Sequence, residues 1–181
     1  MGHVFDPGRA AMLLSDDRMQ RQPPEAILSR LRPEQGETWL DLGSGNGFMT
    51  LPLLESGCHV VALDLRQEML DMLCSRVPAD LRSHLQTVRS ELPEIPMPDH
   101  SVDHAVLVNV FHEIPDRRRA VAEILRVLRP GGRVHVVDHQ KVDSPSGPPL
   151  QDRLSPQDVE DIFGRTPCRS YLDPLYYHLI F

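Results

Sequence analysis

Trp39-Leu40-Asp41-Leu42-Gly43-Ser44-Gly45-Asn46-Gly47-Phe48-Met49-Thr50 runs as an apolar strand into a glycine-rich turn and straight on into a helix. Gly43 and Gly45 permit backbone conformations that side chains block, and they let a ligand approach the main chain. Asp41 sits just before the turn, where its carboxylate can accept hydrogen bonds from a cationic amino group. A glycine turn alone is weak evidence, since many G-x-G matches are only turns. The details separate the nucleotide types. A dinucleotide fingerprint places its third glycine where this chain has Phe48, because that position packs closely on the strand. Here the third glycine is Gly47, one position earlier, and an acid precedes the turn. Negative charge there suits an aminoacyl-sulfonium cofactor better than a pyrophosphate.

Val60-Val61-Ala62-Leu63-Asp64 follows, and Asp64 lies about 20 residues beyond the glycine turn, where an acid can bind both hydroxyls of a ribose. The alternative is an N-cap for the helix beginning near Gln67. Capping alone leaves an acid after an apolar strand unexplained, so ribose binding is the reading taken.

Working outward, strand-like and helix-like segments alternate, the pattern of an α/β fold with a mostly parallel sheet. Strands are expected at Thr38–Leu42, His59–Leu63, Leu85–Val88, His104–Val108 and Arg133–Val137. Several lack polar alternation, as strands covered on both faces do. Helices are expected over Phe48–Glu55, Gln67–Arg76 and Arg117–Leu128, the last with Asp116 as N-cap and Gly131-Gly132 as its end. Ser155-Pro156-Gln157-Asp158 carries the N-cap, first-turn proline and third-position acid of a further helix through Phe163. The tail from Arg169 to Phe181, broken by Asp173-Pro174, reads as a terminal hairpin.

The 181 residues suit one domain, a core over 24–181 with a cover segment over 1–23 that carries Phe5, Met12, Leu13, Leu14 and Arg18. A formal net charge of −7 argues against a broad nucleic-acid footprint, and Arg117-Arg118-Arg119 reads as a solvated helix start. Cys58, Cys74 and Cys168 are odd in number and widely spaced, which predicts reduced thiols. No apolar run reaches membrane-spanning length and the N-terminus lacks a signal-peptide stretch, so a cytoplasmic location is expected.

Taken together, these motifs resemble those of the class I S-adenosylmethionine-dependent methyltransferases, in particular the minimal-domain group and the quinone-biosynthesis C-methyltransferases within it. Leu40-Asp-Leu-Gly-Ser-Gly-Asn-Gly47 resembles the family's first motif, Ala62-Leu-Asp64 its second and Ser90–Asp103 its third region. Asn109-Val-Phe-His-Glu-Ile-Pro-Asp116 and Leu125-Arg-Val-Leu-Arg-Pro-Gly-Gly132 resemble its later motifs. The resemblance implies a doubly wound, Rossmann-like seven-stranded sheet of order 3-2-1-4-5-7-6, with the last strand antiparallel and helices on both faces. It implies S-adenosylmethionine as cofactor and S-adenosylhomocysteine as product. Asp41, Gly43 and Gly45 would then face the methionine portion and Asp64 the ribose, with Ser44 and Leu65 also among the cofactor-binding residues. Glu91 and Leu92 would hold the adenine, both longer than is usual there, and Asn109 would close the pocket.

Methyl transfer from a sulfonium is an in-line displacement, so alignment and exclusion of water come first. A base is needed only when the acceptor must lose a proton. His112-Glu113 after the fourth strand and Asp138-His139 at the end of the fifth should open onto the acceptor crevice. Three readings stand: His112 or His139 as a base oriented by an acid, the four together as a metal site, or a structural cluster. His112 and His139 are the catalytic candidates, and no metal is expected. Phe48, Met49, Tyr176 and Tyr177 line an apolar acceptor pocket or simply pack the core. The N-terminal segment and Asp143–Leu150 are candidates for substrate contact or plain connections. A small-molecule acceptor is expected, without nucleic acid or membrane. The competing expectation is a non-catalytic module that binds S-adenosylmethionine or S-adenosylhomocysteine.

Overall fold

Seven strands form one sheet in the computed structural model, which describes residues 15–144 and 147–181. Expectations resting on Phe5, Met12, Leu13 and Leu14, and on Pro145 and Ser146 of the Asp143–Leu150 segment, lie outside the described residues. The strands are β1 (Thr38–Leu42), β2 (His59–Asp64), β3 (Leu85–Arg89), β4 (Val102–Val108), β5 (Leu128–His139), β6 (Cys168–Asp173) and β7 (Tyr176–Ile180). Their order is β3-β2-β1-β4-β5-β7-β6, the one expected. The pairs among β1 to β5 are parallel, and β7 runs antiparallel to both neighbours.

The helices are α1 (Asp16–Arg21), α2 (Pro24–Leu31), α3 (Thr50–Glu55), α4 (Gln67–Arg76), α5 (Arg117–Val127) and α6 (Pro156–Phe163). They cover both faces. Leu40, Leu42, Leu63 and Val136 pack with Ile124 of α5 and Phe163 of α6. Trp39, Val60, Ala62 and Val106 pack with Ile27 of α2, Leu53 of α3 and Leu73 of α4. Burial on both sides explains the apolar runs in the central strands. The alternation also puts Asp41 and Asp64 on the face of Trp39 and Ala62, at the carboxyl ends of adjacent strands paired Asp41↔Ala62.

Two helix boundaries differ from expectation, each because of a proline. α3 starts at Thr50 rather than Phe48. Pro52 has no N–H to bond the Phe48 carbonyl, so the regular ladder cannot include it. α5 ends at Val127, and Gly131-Gly132 lie inside β5 instead of capping the helix. Pro130 pushes Arg129 toward extended backbone, so the helix stops ahead of the glycines. Gly132 instead allows close strand approach, since a Cβ there would meet the Asp103 carbonyl at 2.4 Å. α6 carries the expected capping box: Ser155 Oγ accepts from Asp158 N at 3.1 Å, and Asp158 accepts from Ser155 N at 2.8 Å. The terminal hairpin forms as β6 and β7.

Candidate functional site

A cavity opens at the carboxyl ends of β1, β2 and β4, where ligands bind in open α/β sheets. Asp41, Gly43, Ser44, Gly45, Asp64, Leu65, Glu91, Leu92 and Asn109 all border it. These nine positions come from four separate stretches of chain, and the sheet order brings them together.

The glycine turn shapes the floor. Gly43 has φ +68°, and a Cβ there would meet Val110 Cγ2 at 2.4 Å. Gly43 N and Ser44 N both donate to the Leu63 carbonyl, at 2.8 and 3.0 Å. Gly45 N donates to Asp64 Oδ2 at 2.8 Å, and Gly47 N to the Ser44 carbonyl at 3.0 Å. Asp64 Oδ1 accepts from Arg66 N at 2.9 Å. Asp64 thus holds the turn and caps the approach to α4 while bordering the cavity, so the capping and ligand readings are compatible.

Asp41 is almost fully buried and accepts a 2.6 Å hydrogen bond from Thr50 Oγ1. Burial raises its pKa to about 6, the nearby Asp64 charge adds to the rise, and the Thr50 hydrogen bond opposes it. Burial raises Asp64 as well, against the pull of its backbone donors. Ser44 Oγ is buried with no hydrogen-bond partner among the described residues. Two carboxyls held above their usual range and an orphaned hydroxyl call for a ligand with cationic and hydroxyl donors.

The N-terminal segment supplies part of the wall. Asn109, at φ +57°, donates through Nδ2 to Gln22 Oε1 at 2.7 Å, and Gln22 is buried. Arg18 of α1 also borders the cavity, with its guanidinium carbon 4.0 Å from the centre of the Phe48 ring. The role of Gln22 had no sequence signal, because its partner is 87 residues away.

The His-acid pairs do meet, behind this cavity. His112 Nδ1 lies 2.9 Å from both oxygens of Asp138, and His112 Nε2 is 3.9 Å from Glu113 Oε1. Asp138 Oδ1 also accepts from His139 N at 2.8 Å. Burial works to lower the His112 pKa, but the charge and hydrogen bond of Asp138 outweigh it and the net shift is upward. His139 is pushed down to about 4, chiefly by burial, and its ring centre lies 4.7 Å from that of Tyr176. Neither histidine borders the cavity, whereas Glu113 does. Phe48 and Met49 border it too, while Tyr177 is packed in the core. Among the described residues, no group of three or more His, Cys, Asp or Glu side chains is placed to hold a metal ion.

Residues 40–136 match the family model described as a methyltransferase domain. An uncharacterized methyltransferase of Mycobacterium tuberculosis is 44% identical over 117 residues, covering 64% of this chain and 44% of the relative. A demethylmenaquinone methyltransferase of Clavibacter sepedonicus is 30% identical over 135 residues, covering 75% of this chain and 53% of the relative. The chain therefore spans about half the length of these relatives. The crystal structure of a SAM-dependent methyltransferase from Aquifex aeolicus superimposes with a TM-score of 0.90 at 26% identity, covering 98% of each chain.

Proposed function

The chain belongs to the methyltransferase-domain family, and from that premise we propose that it transfers the methyl group of S-adenosylmethionine to a small-molecule acceptor by in-line displacement. The observation that carries this reading is the turn itself. Four of its N–H groups are bound within the fold, and a buried carboxyl stands beside it, so it offers those donors to no pyrophosphate. The same surroundings suit an aminoacyl nucleoside.

Asp41 would pair with the ammonium of the methionine portion, Ser44 Oγ would gain a partner near it, and Asp64 would accept from the ribose hydroxyls. Leu65, Glu91 and Leu92 would border the base. Bound there, S-adenosylmethionine supplies an electrophilic methyl group on a sulfonium leaving group. The chain contributes alignment and a dry wall of Phe48, Met49, Val110 and Ile114. For an acceptor that must lose a proton, we assign Glu113, which borders the cavity, as the group that takes it, with His112 behind it as a positioning residue. Asp138 orients the His112 ring, whose Nε2 side faces Glu113. His139, held neutral, supports the same cluster. An apolar wall and a net charge of −7 favour a small planar acceptor, the class to which the quinone-type relative points by its name. Among the described residues no helix is long and apolar enough to cross a membrane, and three unpaired thiols suit the reducing cytoplasm.

Asp41 makes the reading pH-testable. Its carboxyl is protonated below about 6 in the ligand-free protein, and a bound ammonium favours the ionised form. Affinity for S-adenosylhomocysteine is therefore expected to rise as pH climbs through about 6, with a proton released on binding in the acid limb. Calorimetry in buffers of different ionisation enthalpy reads that proton. Without ligand the sign is opposite, because protonated Asp41 favours the fold below its ordinary pKa of 3.8 and that contribution is lost as pH rises through about 6.

The direct test is calorimetric titration with S-adenosylmethionine, S-adenosylhomocysteine and NAD, followed by transfer assays on a 1,4-naphthoquinol. Micromolar binding of the sulfur ligands alone, with methyl transfer, is the expected result. Folded protein that binds neither sulfur ligand would sink the reading. Binding without transfer to any acceptor tried would favour the non-catalytic module.

A further inference from the structure

An amino-acid ligand seated against Asp41 by its ammonium carries a carboxylate on the same carbon. That carboxylate needs a cation, because Asp41 already makes this end of the cavity negative. The N–H groups of Gly43, Ser44, Gly45 and Gly47 cannot serve, since each is bound to a carbonyl or carboxylate of the fold.

Among the described residues two guanidinium groups border the cavity, those of Arg18 and Arg66. Arg66 follows Asp64 by two residues and its N–H bonds Asp64 Oδ1, which puts it at the ribose end. Arg18 reaches in from α1 instead. Its guanidinium lies 4.0 Å over the ring of Phe48, the residue that directly follows Gly47. Arg18 Nε is buried with no hydrogen-bond partner among the described residues. Burial lowers its pKa to about 10, which leaves it charged at neutral pH. A half-buried cation whose Nε–H lacks an acceptor is unfavourable, and an arriving anion would relieve it. A cap fixes the start of α1, and a long-range pair at its end holds the segment against the cavity. Ser15 Oγ accepts from Arg18 N at 3.3 Å, and Gln22 pairs with Asn109 across the pocket edge. Stacking on Phe48 restrains the side chain before any ligand arrives.

We propose that Arg18 binds the α-carboxylate of the cofactor's methionine portion, so that α1 completes the cofactor site and Asp41 and Arg18 together read the two charges of the amino acid. This rests on the S-adenosylmethionine reading above and adds to it a residue outside the glycine turn.

The test compares S-adenosylhomocysteine with its decarboxylated analogue S-adenosyl-3-thiopropylamine, which keeps the ammonium and lacks the carboxylate. Calorimetric affinities are measured for wild type, Arg18→Gln and Arg18→Lys. Arg18→Gln is expected to weaken S-adenosylhomocysteine by roughly 10- to 100-fold, the scale of a charge-assisted pair, with Arg18→Lys in between. The same substitution should leave the affinity for the decarboxylated analogue unchanged. Equal weakening of both ligands would show that Arg18 only holds α1 in place, and no weakening of either would remove it from the site; both outcomes overturn the proposal. So would unchanged S-adenosylhomocysteine affinity with lost methyl transfer, which would assign Arg18 to the acceptor. If Arg18→Gln melts early, wild type alone decides, because equal affinity for the two ligands would mean that no cation reads the carboxylate. Wild type that binds neither ligand fails the S-adenosylmethionine reading and takes this one with it, whereas normal binding with no arginine effect sinks only the arginine.

Discussion

Asp64→Ala is expected to abolish measurable S-adenosylhomocysteine binding, a loss of roughly 100- to 10,000-fold. The magnitude follows from two hydrogen bonds to a charged acceptor at about 1.5–3 kcal/mol each, which the two ribose hydroxyls would make. Asp64 also fixes the turn, because Gly45 N and Arg66 N both bond to its carboxylate. Loss of those bonds loosens the floor of the cavity in addition to removing the acceptor. Asp64→Asn separates the two effects. The amide keeps one carbonyl oxygen for a backbone donor, so Asn should retain more of the wild-type thermal stability than Ala while still losing most affinity. The check is a pair of titrations and melts on each variant. An alanine variant with wild-type affinity would remove Asp64 from the ligand site and leave it as a cap.

Asp138→Ala carries the largest expected loss of stability. The carboxylate is almost fully buried and accepts from the His112 ring, from His112 N at 3.3 Å and from His139 N at 2.8 Å. Its removal strands a buried imidazole and two backbone donors, at a cost of about 3–5 kcal/mol. For a chain of this size that corresponds to a melting temperature lower by roughly 10 °C. The pH profile should change with it. The folded pKa of His112 lies above its ordinary value of 6.5, although burial opposes the rise, because Asp138 holds the protonated ring. That contribution is fully present below 6.5 and is lost as pH rises through the higher folded value. Wild type should therefore lose stability as pH rises above 6.5, and Asp138→Ala should be flat over the same interval. Identical slopes in the two proteins would show that the pair does not share a proton.

Much of the architecture was legible in local sequence. Val60-Val61-Ala62-Leu63 is apolar throughout, and β2 is covered on both faces. Ser155 to Asp158 spelled out a capping box, and α6 begins on it. Where local reading slipped, a proline set the boundary: Pro52 one turn beyond Phe48, and Pro130 directly before Gly131-Gly132. At those places the missing N–H or the clash with the preceding residue overrode the glycine and helix-propensity signals.

The site divides along the same line. The glycine turn, Asp41 and Asp64 were visible because their roles depend on turn geometry and on the end of a strand, both encoded in short stretches of neighbouring residues. The pairing of Gln22 with Asn109 and of Arg18 with Phe48 was not, whereas the meeting of His112 with Asp138 was expected and only its place outside the cavity lining was not. The first of these contacts joins residues 87 positions apart and the second a helix to a turn across the cavity, and side-chain chemistry alone does not select them. By itself the sequence determined the α/β class, the glycine turn and the acids that border the cavity, since periodicity and backbone freedom are local properties. Only the tertiary structure decided that α1 closes the cavity and that both histidines lie behind it, because strand order and register set which distant side chains meet.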